Sequence, residues 1–175
     1  MSKIGKRITV SDSEIRVSSP KKFFMIIFMT IWLAGWTYVG AMIFWGVIAG
    51  RIKDIWFLVT WPCFWLLAEL LALYVYLWAL VGYELITVTP GIIIIKRSIF
   101  GYGPSKEYPI PKITNLRASG FSATIFTWNF SMAFWGLLGG TVSFDYEGES
   151  KRFGINLIEN DAKQLVKTMK NDFGL

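Results

Sequence analysis

Hydrophobic positions run unbroken in two places and alternate or recur elsewhere, and the change between these patterns divides the chain. No charged residue occurs from Phe23 to Gly50, and from Ile55 to Val81 the single one is Glu69. Each run exceeds the roughly 20 helical residues that cross a hydrocarbon core. A third apolar stretch, Leu85 to Ile95, is too short for that and is broken by Pro90-Gly91. Thr89-Pro90-Gly91-Ile92 supplies a fixed φ followed by a residue tolerant of positive φ, as a type II turn requires. Its β-branched flanks predict a hairpin whose second strand leaves the buried region for water at Lys96-Arg97. Further strands are predicted at SKEYPI, KITNLRA, TVSFDYEG and SKRFGIN, the last two joined by a turn near Glu147-Gly148-Glu149. Ala162, Leu165, Val166, Met169 and Phe173 then recur at helical spacing, with Asn160 the predicted N-cap and Asp161 favouring the positive helix end.

These elements predict an α+β membrane protein: a basic tail over 1–22, a helical hairpin over 23–81 and a domain over 82–175. The two helices, about 23–50 and 55–81, are joined by Arg51, Ile52, Lys53 and Asp54 alone, so they must lie antiparallel. Lys3, Lys6, Arg7, Arg16, Lys21 and Lys22 precede them and most other cations follow, which predicts that both termini are cytoplasmic. Residues whose numbers sum to about 105 lie at equal depth, so Trp36 and Thr37 face Glu69. Gly46 and Gly50, like Gly35 and Gly40, are predicted to allow close helix approach.

The strand-turn-strand opening YELITVTPGIIIIKRSIFG, the glycine-led GTVSF strand, the RFG strand and the NDAKQL helix start together resemble the bacterial pleckstrin-homology-like family of membrane proteins. The resemblance spans Tyr83 to Phe173 and the hairpin before it. It implies a strongly bent antiparallel sheet or barrel of about seven strands capped by a C-terminal helix. Eukaryotic relatives often bind inositol phosphates through basic residues of the first hairpin, where this chain has Lys96, Arg97 and Lys106. Bacterial members generally lack that function, and with Lys21 and Lys22 these cations are expected to contact anionic lipid headgroups through membrane proximity alone. Some relatives are linked to assembling photosynthetic complexes, and the family implies a bacterial cytoplasmic membrane location.

The segment from Gly120 to Gly140 is uncharged and carries Phe121, Phe126, Trp128, Phe130, Phe134 and Trp135. A third crossing there would strand the last two strands across the membrane from their partners. The segment is instead expected to hold one strand near ATIFTW and an aromatic loop lying on lipid or a partner protein.

Composition removes several function classes. The 175 residues are 54% hydrophobic and 17% charged, with net charge +6 and no histidine. The usual neutral-pH base and commonest metal ligand are therefore missing, and the lone Cys63 gives neither disulfide nor cysteine metal cluster within one chain. No phosphate loop, dinucleotide fingerprint or hydrolase elbow occurs, so no catalytic, cofactor or metal site is predicted. The cations are too scattered for a nucleic-acid interface.

Glu69 is the one ionisable group inside an apolar run, where it costs several kcal/mol unless paired or neutralised. It either glues the hairpin, contacts another subunit, or relays protons. Together these features point to a non-catalytic accessory subunit or assembly factor of a larger membrane complex, photosynthetic and respiratory complexes being the expected hosts. A free-standing sensor of the membrane surface is the alternative, and an element of a transporter or proton pathway using Glu69 a further one.

Overall fold

A computed structural model describes residues 2–11, 13–119, 140–155 and 157–173. The chain forms two units, Lys21–Leu80 on one hand and Met1–Pro20 with Val81–Leu175 on the other.

The first unit is the helical hairpin. Helices α1 (Phe23–Ile48) and α2 (Ile55–Val81) are each long and apolar enough to cross a membrane. Gly50, at φ 67°, ends α1: its N–H bonds the Val47 carbonyl at 3.0 Å and that of Arg51 bonds the Gly46 carbonyl at 2.9 Å. This is a Schellman cap, which needs a left-handed residue just past the helix. Asp54 starts α2 by accepting the Phe57 N–H on its side chain at 3.0 Å, as an N-cap does. Pairs at equal depth follow the expected sum. Thr37 meets Glu69, Thr30 meets Tyr76, and Phe44 meets Trp61.

The second unit begins with strands β1 (Ser2–Ile4), β2 (Ile8–Val10) and β3 (Glu14–Ser18), which correct the reading of 1–22 as a tail. Ile8, Val10, Ile15 and Val17 alternate with polar neighbours and are buried. The strands are so short, and so interrupted by charge, that the period is hard to see in the sequence. Across the hairpin insertion β3 pairs with β4 (Tyr83–Thr89), which pairs in turn with β5 (Ile92–Ser98) and β5 with β6 (Ser105–Pro109). All six run antiparallel in chain order in one sheet, and the Ser19 N–H bonds the Gly82 carbonyl at 2.9 Å where the insertion leaves and returns.

A short 3₁₀ turn, Ile110–Lys112, leads into a second, three-stranded sheet of β7 (Ile113–Ala118), β8 (Gly140–Tyr146) and β9 (Glu149–Ile155). Gly91 has φ 90°, fitting the predicted turn between β4 and β5. Glu147 and Gly148 both have positive φ, 51° and 82°, which suits a tight hairpin between twisted strands. The single bent sheet of about seven strands is thus replaced by two sheets, and the described residues form no closed barrel.

Helix α3 (Glu159–Phe173) packs on β7, β8 and β1. Its first turn already contains Asn160, and the Ala162 N–H bonds the Ile158 carbonyl, so Asn160 is not the cap. The core joins Ile15, Ile86 and Ile93 of the first sheet, Phe144 and Phe153 of the second, and Leu165 and Met169 of α3.

Candidate functional site

Two polar arrangements stand out, one in each unit. In the hairpin, the Thr37 hydroxyl donates to Glu69 Oε1 at 2.7 Å, and the Thr30 hydroxyl lies 3.0 Å from the Tyr76 hydroxyl. Each pair is seven residues from the other on both helices, so the two lie two turns apart on one flank. Glu69 Oε2 is shielded and has no hydrogen-bond partner among the described residues, and the same holds for Trp36 Nε1. The carboxyl group is therefore folded into the hairpin. The bond between Thr37 and Glu69 links the two helices directly.

The predicted glycines divide by role. A side-chain carbon on Gly40 would lie 2.2 Å from the Trp65 ring, so the ring is seated on the bare backbone there. Gly35 has nothing within 4 Å, and Gly46 is approached by the Ile52 side chain of the loop, with 3.4 Å between Ile52 and an added carbon. Gly50 acts as the helix terminator and not as a packing surface.

In the sheet unit the centre is Glu84, which is 1% exposed. Its Oε2 accepts the N–H groups of Gly154 at 2.7 Å and Ile155 at 3.1 Å, and its Oε1 accepts Arg97 Nε at 3.0 Å. One carboxylate thereby ties β4 and β5 of the first sheet to the end of β9 in the second. Arg7 extends the cluster, donating to the carbonyls of Ser18 at 2.6 Å and Ile155 at 2.8 Å. Burial pushes its guanidinium below the ordinary value, while Asp161 and Glu84 pull it upward. Asp161 also crowds the β1–β2 turn, since a carbon added to Gly5 would meet its carboxylate at 2.5 Å.

This cluster corrects the expectation that the chain turns to water at Lys96-Arg97: the Arg97 side chain is 35% exposed and is paired with Glu84. Nor do Lys96, Arg97 and Lys106 share a face. Lys106 stands opposite Ile95 and Arg97 opposite Glu84, both in phase with the inward Ile93, whereas Lys96 is in phase with Ile92 and Ile94 on the other face. Lys21 and Lys22 are exposed. Phe121, Phe126, Trp128, Phe130, Phe134 and Trp135 lie outside the described residues. Among the described residues no three His, Cys, Asp or Glu side chains converge as a metal site.

Fold and site together define an α+β protein in which an apolar helical hairpin is inserted between adjacent strands of an antiparallel sheet. No family model, no curated protein and no solved structure matches the chain.

Proposed function

We propose that this chain is a non-catalytic integral membrane protein that serves as an accessory or assembly subunit of a larger membrane complex. The observation that carries the reading is the surface of the hairpin. Ile31 and Trp45 of α1 and Phe64 and Leu70 of α2 are 62–74% exposed, while the single carboxyl of these runs, Glu69, bonds Thr37 of the neighbouring helix. At about 25 cal/mol per Å² such a surface is costly in water, and lipid or partner helices remove that cost.

Because β3 and β4 are neighbours, the hairpin leaves and re-enters the sheet unit at one place. This supports a topology with both termini on one side and Arg51–Asp54 on the other. The cation distribution supports the cytoplasmic face of a bacterial membrane for the termini. The antiparallel strands closed by a C-terminal helix support the pleckstrin-homology-like reading of the domain. The uncharged aromatic segment from Gly120 to Gly140 is the second docking element of this reading.

Mild-detergent purification of the tagged full chain, with identification of copurifying proteins, tests the proposal. A stoichiometric membrane assembly that is released by Trp128→Ala with Trp135→Ala is expected. A small free oligomer whose double variant loses only liposome association would overturn it in favour of a membrane-surface sensor. Glu69→Gln keeps an acceptor for Thr37 and should preserve assembly, whereas Glu69→Leu should weaken the hairpin by about 0.6–1.7 kcal/mol. Loss of host-complex activity in Glu69→Gln with assembly intact would instead identify a proton relay.

A further inference from the structure

We propose that the connecting end of the hairpin holds one anionic phospholipid, with its phosphate on Arg51 and Lys53 and part of one acyl chain in a cavity between α1 and α2. The proposal rests on the membrane-spanning reading above.

The cavity measures about 90 Å³ and is walled by Ile43, Phe44 and Val47 of α1 and by Phe57, Leu58 and Trp61 of α2. Pro62 completes it and breaks the regular packing of α2 at that level, since it has no N–H to bond the Leu58 carbonyl. A cavity so lined does not suit water, which needs two to four polar partners; apolar cavities of about 150 Å³ stay dry and take benzene. This smaller one has room for a short run of methylenes. At about 1.5 Å per residue, its walls lie within roughly 10 Å of the ends of both helices at the loop. That is the depth of the first acyl carbons beneath a phosphate.

The loop supplies the matching charge. Arg51 and Lys53 are exposed, and neither is in an ion pair among the described residues. Asp54 is the one acid beside them, and its carboxylate is engaged in capping α2 through the Phe57 N–H at 3.0 Å. The two exposed cations thus lie in the loop that joins the two helices walling the slot. Their complement is an anion attached to a hydrocarbon chain. At about 1 kcal/mol per charge, the two cations less the Asp54 carboxylate favour an anionic over a zwitterionic headgroup by about 5-fold.

Delipidated full chain in mild detergent, mixed with phosphatidylglycerol or phosphatidylcholine and counted for bound lipid by native mass spectrometry, reads the site. One retained phosphatidylglycerol is expected, with about 5-fold preference over phosphatidylcholine. Arg51→Gln with Lys53→Gln, which leaves Asp54 as the loop's only charge, should bring the ratio to unity or below. Val47→Phe, with Leu58→Trp as a second cavity-filling change, should lower occupancy by both lipids while the charges remain. Equal binding of the two lipids by the unaltered chain, or an unchanged preference in the charge variant, overturns the proposal. Displacement of the lipid by inorganic phosphate at equal concentration would reduce the site to a phosphate site and overturn it as well. Alkaline carbonate extraction reads anchoring separately. Release of the unaltered chain would overturn the membrane reading and the lipid site together, whereas retention without lipid preference overturns the lipid site alone.

Discussion

Glu84→Leu removes the carboxylate that joins the two sheets and keeps its bulk. It strands two N–H groups, those of Gly154 and Ile155, which bond Glu84 Oε2 at 2.7 and 3.1 Å. A buried donor left without a partner costs about 1–3 kcal/mol. Arg97 adds little to the loss, because its 35% exposed side chain can turn to water. The expected cost for the two donors is about 2–6 kcal/mol, a large part of the 5–15 kcal/mol that holds a typical domain together. Glu84→Gln keeps one acceptor oxygen but sets an amide N–H₂ among donors, and should cost about half as much. The loss falls first on the end of β9, so hydrogen exchange on the full chain is the assay. The Gly154 and Ile155 amides should exchange about a hundredfold faster in Glu84→Leu, which corresponds to about 3 kcal/mol. A change under about threefold at both amides, with the domain still folded, would refute the view that this carboxylate carries the junction.

Gly5→Ala forces a carbon to within 2.5 Å of the Asp161 carboxylate at φ 61°, and the strain of about 1–3 kcal/mol should expose β1 and β2 to proteolysis before the rest of the unit. Gly40→Ala drives a carbon to 2.2 Å from the Trp65 ring, so thermal unfolding in detergent should show a loss of about 1–3 kcal/mol, while Gly35→Ala, with nothing within 4 Å, serves as the unaffected control. Asp145 is held below its ordinary value of 3.8 by its hydrogen bond from Arg117 and then that from Asn115. Its contribution is therefore present above that ordinary value and lost as pH falls through the lower folded value. Melting curves between neutral and strongly acidic pH should show a shallower acid decline in Asp145→Asn, and an identical decline would show that the pair is not felt.

The hairpin was readable because two simple constraints coincide there: runs too long for anything but a long helix, and a loop too short to allow anything but antiparallel packing. Depth matching then follows from helical rise alone, and the bond between Thr37 and Glu69 at 2.7 Å falls where that count puts it. The first three strands were not readable for the opposite reason. Strands such as Ser2–Ile4 and Ile8–Val10 contain too few residues to display a period. The third, Glu14–Ser18, pairs onward with Tyr83–Thr89, which lies beyond both helices, so no local pattern announces that pairing.

Glu84 is a different case, since its signal was present and lay across two strands. In YELITVT it falls in phase with Ile86 and Val88, and in IIIIKRS Arg97 falls in phase with Ile93 and Ile95. A two-residue turn at Pro90-Gly91 sets Thr89 against Ile92, and counting outward from there sets Glu84 against Arg97, as the structure shows. A charge on the inward phase of one strand facing an opposite charge on the inward phase of its neighbour is what a buried pair looks like in sequence. The polar pair at the far end of the second strand thus resembled an exit to water because it was weighed on that strand alone. Its partners on β9 add what no hairpin count can give. The N–H groups of Gly154 and Ile155 come from another sheet, and Gly154 sits at φ 74°, a left-handed conformation that suits glycine. The same carboxylate thus closes the register within one sheet and fixes the second sheet upon it.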